Sequence, residues 1–274
     1  MNNYGIYKMI KIDSNLIKKL RSLTGAGFLN CKKALFATNN NIEESIDYLR
    51  KNDQYYAYNR SNNITKNGVI FTGISDNFAA IVEINSETDF VSRNIFFLDF
   101  AKKIISFTLK EKITELCKLI DLFDDERYTL ISKFGENINI RKLSTLNGGT
   151  NITLGSYVHN MYLGALVSLD KVDKEFSKHI AMHIVSYRPE YIYIKDVPIK
   201  LLDRERSVYL ALAGKLCKSN KILKKYVNGK IKKFIKNIVL TEQNFLLSPK
   251  KKVKNVLLEK GIKIIDFVCF RVGE

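Results

Sequence analysis

His179 and His183, in the stretch His179-Ile180-Ala181-Met182-His183, have the spacing that most invites chemistry. Side chains at i and i+4 share one helix face, so two imidazoles there could grip a single metal ion. A zinc hydrolase of that spacing also needs a glutamate directly after the first histidine, where Ile180 stands. With Ile180, Met182 and Ile184 around them, both histidines read as core or helix-surface residues and the metal reading gives way. Cys31, Cys117, Cys217 and Cys269 lie far apart without a Cys-x-x-Cys pair, which excludes a zinc ribbon and a thioredoxin-like motif and fits reduced thiols in a cytosolic protein. There is no Gly-x-Ser-x-Gly elbow, phosphate-binding glycine loop or dinucleotide fingerprint, and no pair of carboxylates stands out. The residues therefore point away from an enzyme of covalent chemistry, and no cofactor is expected.

The other unusual feature is Glu87-Thr88-Asp89-Phe90-Val91-Ser92, placed where a strand gives way to a helix. An exposed Phe beside an Asp at such a turn would be a wedge. From spacing alone, Phe90 reads as core and Asp89 as an N-cap.

The elements that must position these residues follow from periodicity. Ser14 reads as an N-cap, and Leu16, Ile17, Leu20 and Leu23 follow at helical spacing up to the Gly25-Ala26-Gly27 turn. A second helix is expected over 28–37 and a third from Asn41, which with Glu44 forms a capping-box-like start. These helices make up an N-terminal module at 1–52, and the aperiodic polar segment 53–66 reads as a linker. Runs 69–74 and 78–84 form a hairpin around Ser75-Asp76-Asn77, and helices and a strand from Asn137 complete the first half of a core at 67–150. A strand pair around His159-Asn160 and a helix ending near Pro189 repeat that plan as a second half at 151–196. The lysine-rich segment 197–236 reads as a helical hairpin insertion. Strands at 238–240 and 245–247, a Pro249-led helix to Lys260 and a strand at 264–272 would complete the core at 237–274. The fold class is α+β.

At 274 residues, with 46% hydrophobic and 27% charged residues, the chain has the balance of a soluble globular protein of about two domains. The net charge of +17 favours an acidic partner, and one reading of it is a basic RNA-binding or ribosome-associated structural protein. The lysines are dispersed, however, and no aromatic RNA-recognition motif accompanies them, so they read as solvated faces and no direct nucleic-acid contact is expected. No apolar run reaches membrane-spanning length, and neither a secretory signal nor an Arg- and Ser-rich leader opens the chain, so no membrane partner and a cytoplasmic setting are expected.

Thr88-Asp89-Phe90-Val91 resembles the signature of the translation elongation factors Ts. Leu20 to Leu35, Gly135-Glu136-Asn137-Ile138-Asn139-Ile140-Arg141, Gly155-Ser156-Tyr157 with His159, and His179 to His183 with Pro189-Glu190 are similar to further segments of that family, in the family's order. The likeness runs from about Asn15 to Glu274. It implies an N-terminal three-helix module of the ubiquitin-associated type, a two-part α+β core interrupted by a helical hairpin, and guanine-nucleotide exchange on elongation factor Tu. It also implies that Thr88, Asp89, Phe90 and Val91 dislodge the partner's Mg²⁺, and that Arg21, Phe28, Leu29, Lys32, His159, Leu246 and Leu247 bind the partner. Self-association of the hairpin into a homodimer, as in some relatives, is left open. Ser86-Glu87 and Asn160-Met161-Tyr162 depart from the family's usual residues, and the sequence ends at Glu274 without the C-terminal extension of longer members.

Overall fold

In the computed structural model, which describes residues 13–214 and 220–274, Asp13 rather than Ser14 caps α1 (Ser14–Thr24), its carboxylate accepting from the Asn15 N–H at 2.9 Å. A carboxylate at the positive end of a helix is a stronger acceptor than a hydroxyl, so the cap moves one residue upstream. Residues 1–12 and 215–219, Cys217 among them, lie outside the described residues. Gly25, with φ 70°, ends α1, and α2 (Phe28–Ala37) follows. Asn41 then caps α3 (Ile42–Arg60), accepting from the Glu43 and Glu44 N–H groups and donating to the Glu44 carboxylate. Ile17, Leu20, Cys31, Ala34, Leu35 and Leu49 close the core of this three-helix module, and burial raises the pKa of the Cys31 thiol.

The expected linker at 53–66 is corrected here, because α3 continues to Arg60. Once capped, a helix adds one hydrogen bond per residue fixed, so it propagates through polar sequence that carries no apolar stripe. α3 also packs along a helix of the core.

The core is four layers deep. β1 (Asn67–Ser75), β2 (Phe78–Ser86) and, later, β3 (Ile138–Asn147) form an antiparallel sheet in the order β1-β2-β3. Between β2 and β3 come the single turn α4 (Asp89–Ser92), α5 (Ile95–Glu111) and α6 (Leu116–Phe134). Phe78, Ala80, Val82 and Ile84 of β2 face α5 and α6, together with Phe97, Phe100, Ile104, Leu119 and Ile131. Alternate residues Ala79 and Ile81 face the second sheet, so β2 is buried on both faces, apolar from Phe78 to Val82 and carrying buried Glu83, Asn85 and Ser86 toward its end.

β4 (Thr153–His159), β5 (Leu163–Leu169) and β8 (Ile264–Arg271) form the second antiparallel sheet. Leu166 and Leu154 meet the first sheet, while Ala165, Val167 and Leu169 face α7 (Lys174–Tyr187) and α10 (Val253–Lys260). Gly164 permits the close approach of the sheets, since a Cβ there would lie 2.6 Å from Ile70 Cγ2.

Between α7 and β8 the chain makes α8 (Ile199–Gly214) and α9 (Asn220–Ile238), which pack on each other through Ala213, Val227 and Ile231. Two expectations fail just after them. Ile238 ends α9 and Leu240 opens a 3₁₀ turn, because their apolar side chains join clusters with Val197 and α7 rather than a strand ladder. Pro249 lies in β7 (Ser248–Lys252), paired with the short β6 (Asn244–Phe245), and α10 starts only at Val253. A two-stranded ribbon has open edges, where a residue lacking an N–H costs no ladder bond. Among the described residues no helix is long and apolar enough to cross a membrane.

Candidate functional site

Phe90 is the most exposed large hydrophobic residue of the described chain, with 84% of its surface open to solvent. The spacing-based reading of Phe90 as core is thereby overturned. Asp89, read from spacing as an N-cap, is instead the first residue of α4, and Thr88 occupies the cap position. The reason lies in the periodicity of a single turn. Val91 and Ser92 point inward and are buried, Val91 among Val69, Ile84 and Phe97, and one turn cannot send Phe90 the same way.

The corner is tied down on all sides. Ser86 Oγ donates to the Thr88 carbonyl at 2.8 Å, and Asn67 Nδ2 donates to the Glu87 carbonyl at 2.7 Å. Thr88 gives both its N–H and its hydroxyl to Glu136, at 3.0 and 2.8 Å. Glu87 accepts from the Asn137 N–H at 2.6 Å and from Asn63 Nδ2 at 2.9 Å. Asn94 then caps α5 by accepting from the Phe96 N–H at 3.0 Å.

Asp89 is half exposed and pairs with Arg93 at 3.3 Å on the surface, a contact weak enough to exchange for another cation. Ile95 and Phe96, just beyond the corner, are also exposed. The Lys133 ammonium lies 2.9 Å from the centroid of the Phe96 ring, and burial lowers its pKa. Lys133 also lies beneath the Gly25 turn, so this one cation lies between the three-helix module and the apolar rim of the corner.

On α2, Cys31, Ala34 and Leu35 turn inward, leaving Phe28, Leu29 and Lys32 outside, and Arg21 on α1 is exposed as well. Packing of Phe28 and Leu29 inside the module is thus ruled out: they are 52% and 68% exposed. Phe36, absent from the sequence-derived set, is also exposed on α2, at 58%. The i, i+4, i+8 spacing of Phe28, Lys32 and Phe36 was the signal for it.

His159 is exposed at the end of β4, its ring between Tyr157 Oη at 3.3 Å and Asn160 Nδ2 at 3.4 Å. Asn160 and Met161, with φ 51° and 57°, make the tight turn into β5, and the Met161 carbonyl accepts from the Ile70 N–H at 2.7 Å. Leu247 is exposed and Leu246 half-buried, between β6 and β7.

His183 explains that loop. It is fully buried, stacked on Tyr187, with Nε2 2.9 Å from Gln243 Oε1 and Nδ1 accepting from the Leu246 N–H at 3.2 Å. Burial pushes its pKa down to about 4, against a smaller upward pull from the Gln243 hydrogen bond. Both ring nitrogens are thereby spent inside the protein. His179, one turn away, lies 4.0 Å from Glu175 at the surface. Among the described residues no group of three His, Cys, Asp or Glu side chains is placed to hold a metal.

Arg21, Phe28, Leu29 and Lys32 therefore sit on one module, Thr88 to Val91 on the corner after β2, and His159 and Leu246-Leu247 on two turns of the second half of the core. The arrangement offers exposed apolar and charged surfaces on a rigid frame, which suits docking onto another macromolecule.

A family model described as Elongation factor TS matches residues 87–274. Elongation factor Ts of Buchnera aphidicola subsp. Acyrthosiphon pisum (strain 5A) is 41% identical over 263 residues, covering 96% of this chain and 97% of that protein. Elongation factor Ts of Escherichia coli O139:H28 (strain E24377A / ETEC) is 40% identical over 266 residues, covering 97% and 93%. The same-named protein of Baumannia cicadellinicola subsp. Homalodisca coagulata is 39% identical over 270 residues, covering 97% and 95%.

Proposed function

This chain belongs to the elongation factor Ts family, and on that premise we propose that it is the guanine-nucleotide exchange factor of elongation factor Tu, acting in the cytoplasm during translation elongation. The observation that carries this reading is the exposure of Phe90 at a corner braced by Glu87, Glu136 and Val91. A GTPase holds its nucleotide with backbone amides, a lysine and Mg²⁺, and each contact is strongest when the others are in register. Phe90 enters the partner's nucleotide-binding domain as a wedge. Asp89, exchanging its surface pair with Arg93 for groups near the metal, disturbs the Mg²⁺ shell. Thr88 and Val91 hold the turn that presents both. GDP then leaves faster, and no bond of the substrate is made or broken by this chain.

Arg21, Phe28, Leu29 and Lys32 dock on the same partner domain, while His159 and Leu246-Leu247 provide a second foothold. Linkage sets the cycle. If this protein weakens nucleotide binding, nucleotide weakens its own binding by the same factor, about 5- to 150-fold for a coupling of roughly 1–3 kcal/mol. Arriving GTP therefore releases it, and only the rate of equilibration changes.

The test is stopped-flow release of fluorescent GDP from elongation factor Tu. Wild type is expected to accelerate release, and Phe90→Ala to lower the maximal rate at least tenfold, while leaving unfolding free energy within about 0.5 kcal/mol because 84% of the residue is open to solvent. No acceleration by wild type sinks the exchange function, and an equally fast Phe90→Ala chain sinks the wedge.

A further inference from the structure

The Phe90 corner poses a mechanical problem. It is a single helical turn of four residues, and one turn fixes several dihedrals for very few hydrogen bonds. The usual remedy is a Ser, Thr, Asp or Asn cap bonding into the first turn. Thr88 stands at the cap position, yet its side chain makes no cap bond to α4. Its hydroxyl goes instead to Glu136 Oε1 at 2.8 Å, and its N–H to Glu136 Oε2 at 3.0 Å. One carboxylate, 48 residues away in sequence, therefore takes both donors of the residue that starts the turn.

The reverse connection is made one residue along on each strand, where Glu87 Oε1 accepts from the Asn137 N–H at 2.6 Å. Ser86 and Ile138 are the last paired residues of the β2–β3 ladder at this end. The two glutamates thus cross immediately beyond the last rung and continue the ladder with side chains where the backbones diverge. Hydrogen bonds to an ionised carboxylate are about twice as strong as neutral ones, and these are partly shielded from water.

We propose that Glu136, with Glu87 as its reciprocal, is a positioning residue for nucleotide exchange: the crossed carboxylates hold the α4 turn in the conformation that presents Phe90. This rests on reading Phe90 as the wedge. When only a fraction of molecules holds the binding-competent turn, the apparent dissociation constant rises by the inverse of that fraction, while the complex once formed works at its normal rate. A positioning residue is thereby separated from the wedge itself, whose loss lowers the maximal rate.

The test measures binding to nucleotide-free elongation factor Tu and, with the same full-length chains, fluorescent-GDP release as a function of factor concentration. Glu136→Ala is expected to raise the half-saturating concentration roughly tenfold at nearly unchanged maximal rate. Glu136→Gln restores most of the affinity, because an amide can accept from the Thr88 N–H and donate to the Thr88 hydroxyl. In a Phe90→Ala background the Glu136→Ala shift shrinks to under about twofold, since there is no ring left to position. Thr88→Val, which removes the hydroxyl bond alone, gives a smaller rise in the same direction and serves if Glu136→Ala does not fold.

Wild-type affinity in Glu136→Ala, failure of glutamine to restore it, or a shift undiminished in the Phe90→Ala background each overturns the positioning role. A Phe90→Ala chain as active as wild type removes the wedge, and the positioning role with it, by a different signature.

Discussion

The pKa of His183, held near 4 by burial, makes this protein's stability fall between pH 6.5 and about 4. In the unfolded chain the imidazole takes up a proton around its ordinary value of 6.5, whereas the folded chain refuses it until about pH 4. Between those values the unfolded state carries the extra proton. Unfolding free energy therefore drops as pH falls, at about 1.36 kcal/mol per unit, and the neutral imidazole's contribution is fully present only above 6.5. The loss from pH 7 to pH 5 comes to about 2 kcal/mol, and across the whole window to about 3 kcal/mol. The paired carboxylates do not obscure this. A Lys260 hydrogen bond lowers the pKa of Asp173, and for Glu242 hydrogen bonds from Lys252 and Lys254 outweigh burial, which opposes them. Stability from such depressed carboxylates is lost only as pH falls through their folded values, below the ordinary 3.8 and 4.5. The consequence is also local, because a protonated Nδ1 sets a donor against the Leu246 N–H that it now accepts and pushes the Leu246-Leu247 loop away. Urea unfolding at pH 7 and pH 5 checks the reasoning. Wild type should lose about 2 kcal/mol, and His183→Gln should start less stable but lose less than half as much. Equal losses in the two chains, or a His183 ring resonance that titrates near 6.5, would refute it.

Two further substitutions test the frame that carries the surfaces. Gly155→Ala should cost about 3 kcal/mol or more, seen as a lowered Tm, because its Cβ would lie 2.6 Å from the Ser177 carbonyl, and helix backbone there has nowhere to move. Leu35→Ala, at a fully buried position of the three-helix module, should cost about 2–5 kcal/mol locally. So small a module has little to spare, so limited proteolysis should cut α1–α3 sooner while the Tm of the core stays put; cleavage as slow as in wild type would show the module to be held by α6 instead.

Much of the architecture was readable from the residues because local signals agreed. The Gly25 turn, the Asn41 cap and the β-rich runs on either side of Asp76 each have one physical solution, and the structure adopts it. Where the reading went wrong, the deciding partner was distant in sequence. Leu240 has strand-like neighbours, but the cluster with Phe176 and Phe245 claims it. Residues 53–60 carry no helical stripe, yet α3 runs through them from a cap far upstream. At the corner, spacing could not say whether Phe90 or Val91 faces inward, since a single turn is too short to have a period. Only the likeness of Thr88-Asp89-Phe90-Val91 to a family signature favoured exposure. The crossed contacts of Glu87 and Glu136 left no local trace, because their partners lie about fifty residues away and a lone glutamate reads as a solvated charge.

An aromatic ring left 84% exposed contributes almost nothing to its own fold, so its position must be maintained by neighbours that do. Val91 and Ser92 anchor the turn from within, and the two glutamates fasten it from the flanks. On the proposed function, this divides the labour of exchange. Buried on a partner, a phenylalanine ring is worth roughly 1.5–3 kcal/mol, similar to the coupling needed to shift nucleotide affinity by one to two orders of magnitude. The wedge can therefore supply the coupling only if its binding energy is spent on displacing the partner's nucleotide contacts and not on ordering its own turn. On the proposed exchange function, the rest of the affinity comes from the apolar face around Phe28 and Leu29 and from Leu246-Leu247. Substitutions at those surfaces should accordingly change how much factor is needed, and substitutions of Phe90 should change both that amount and how fast the bound complex releases GDP.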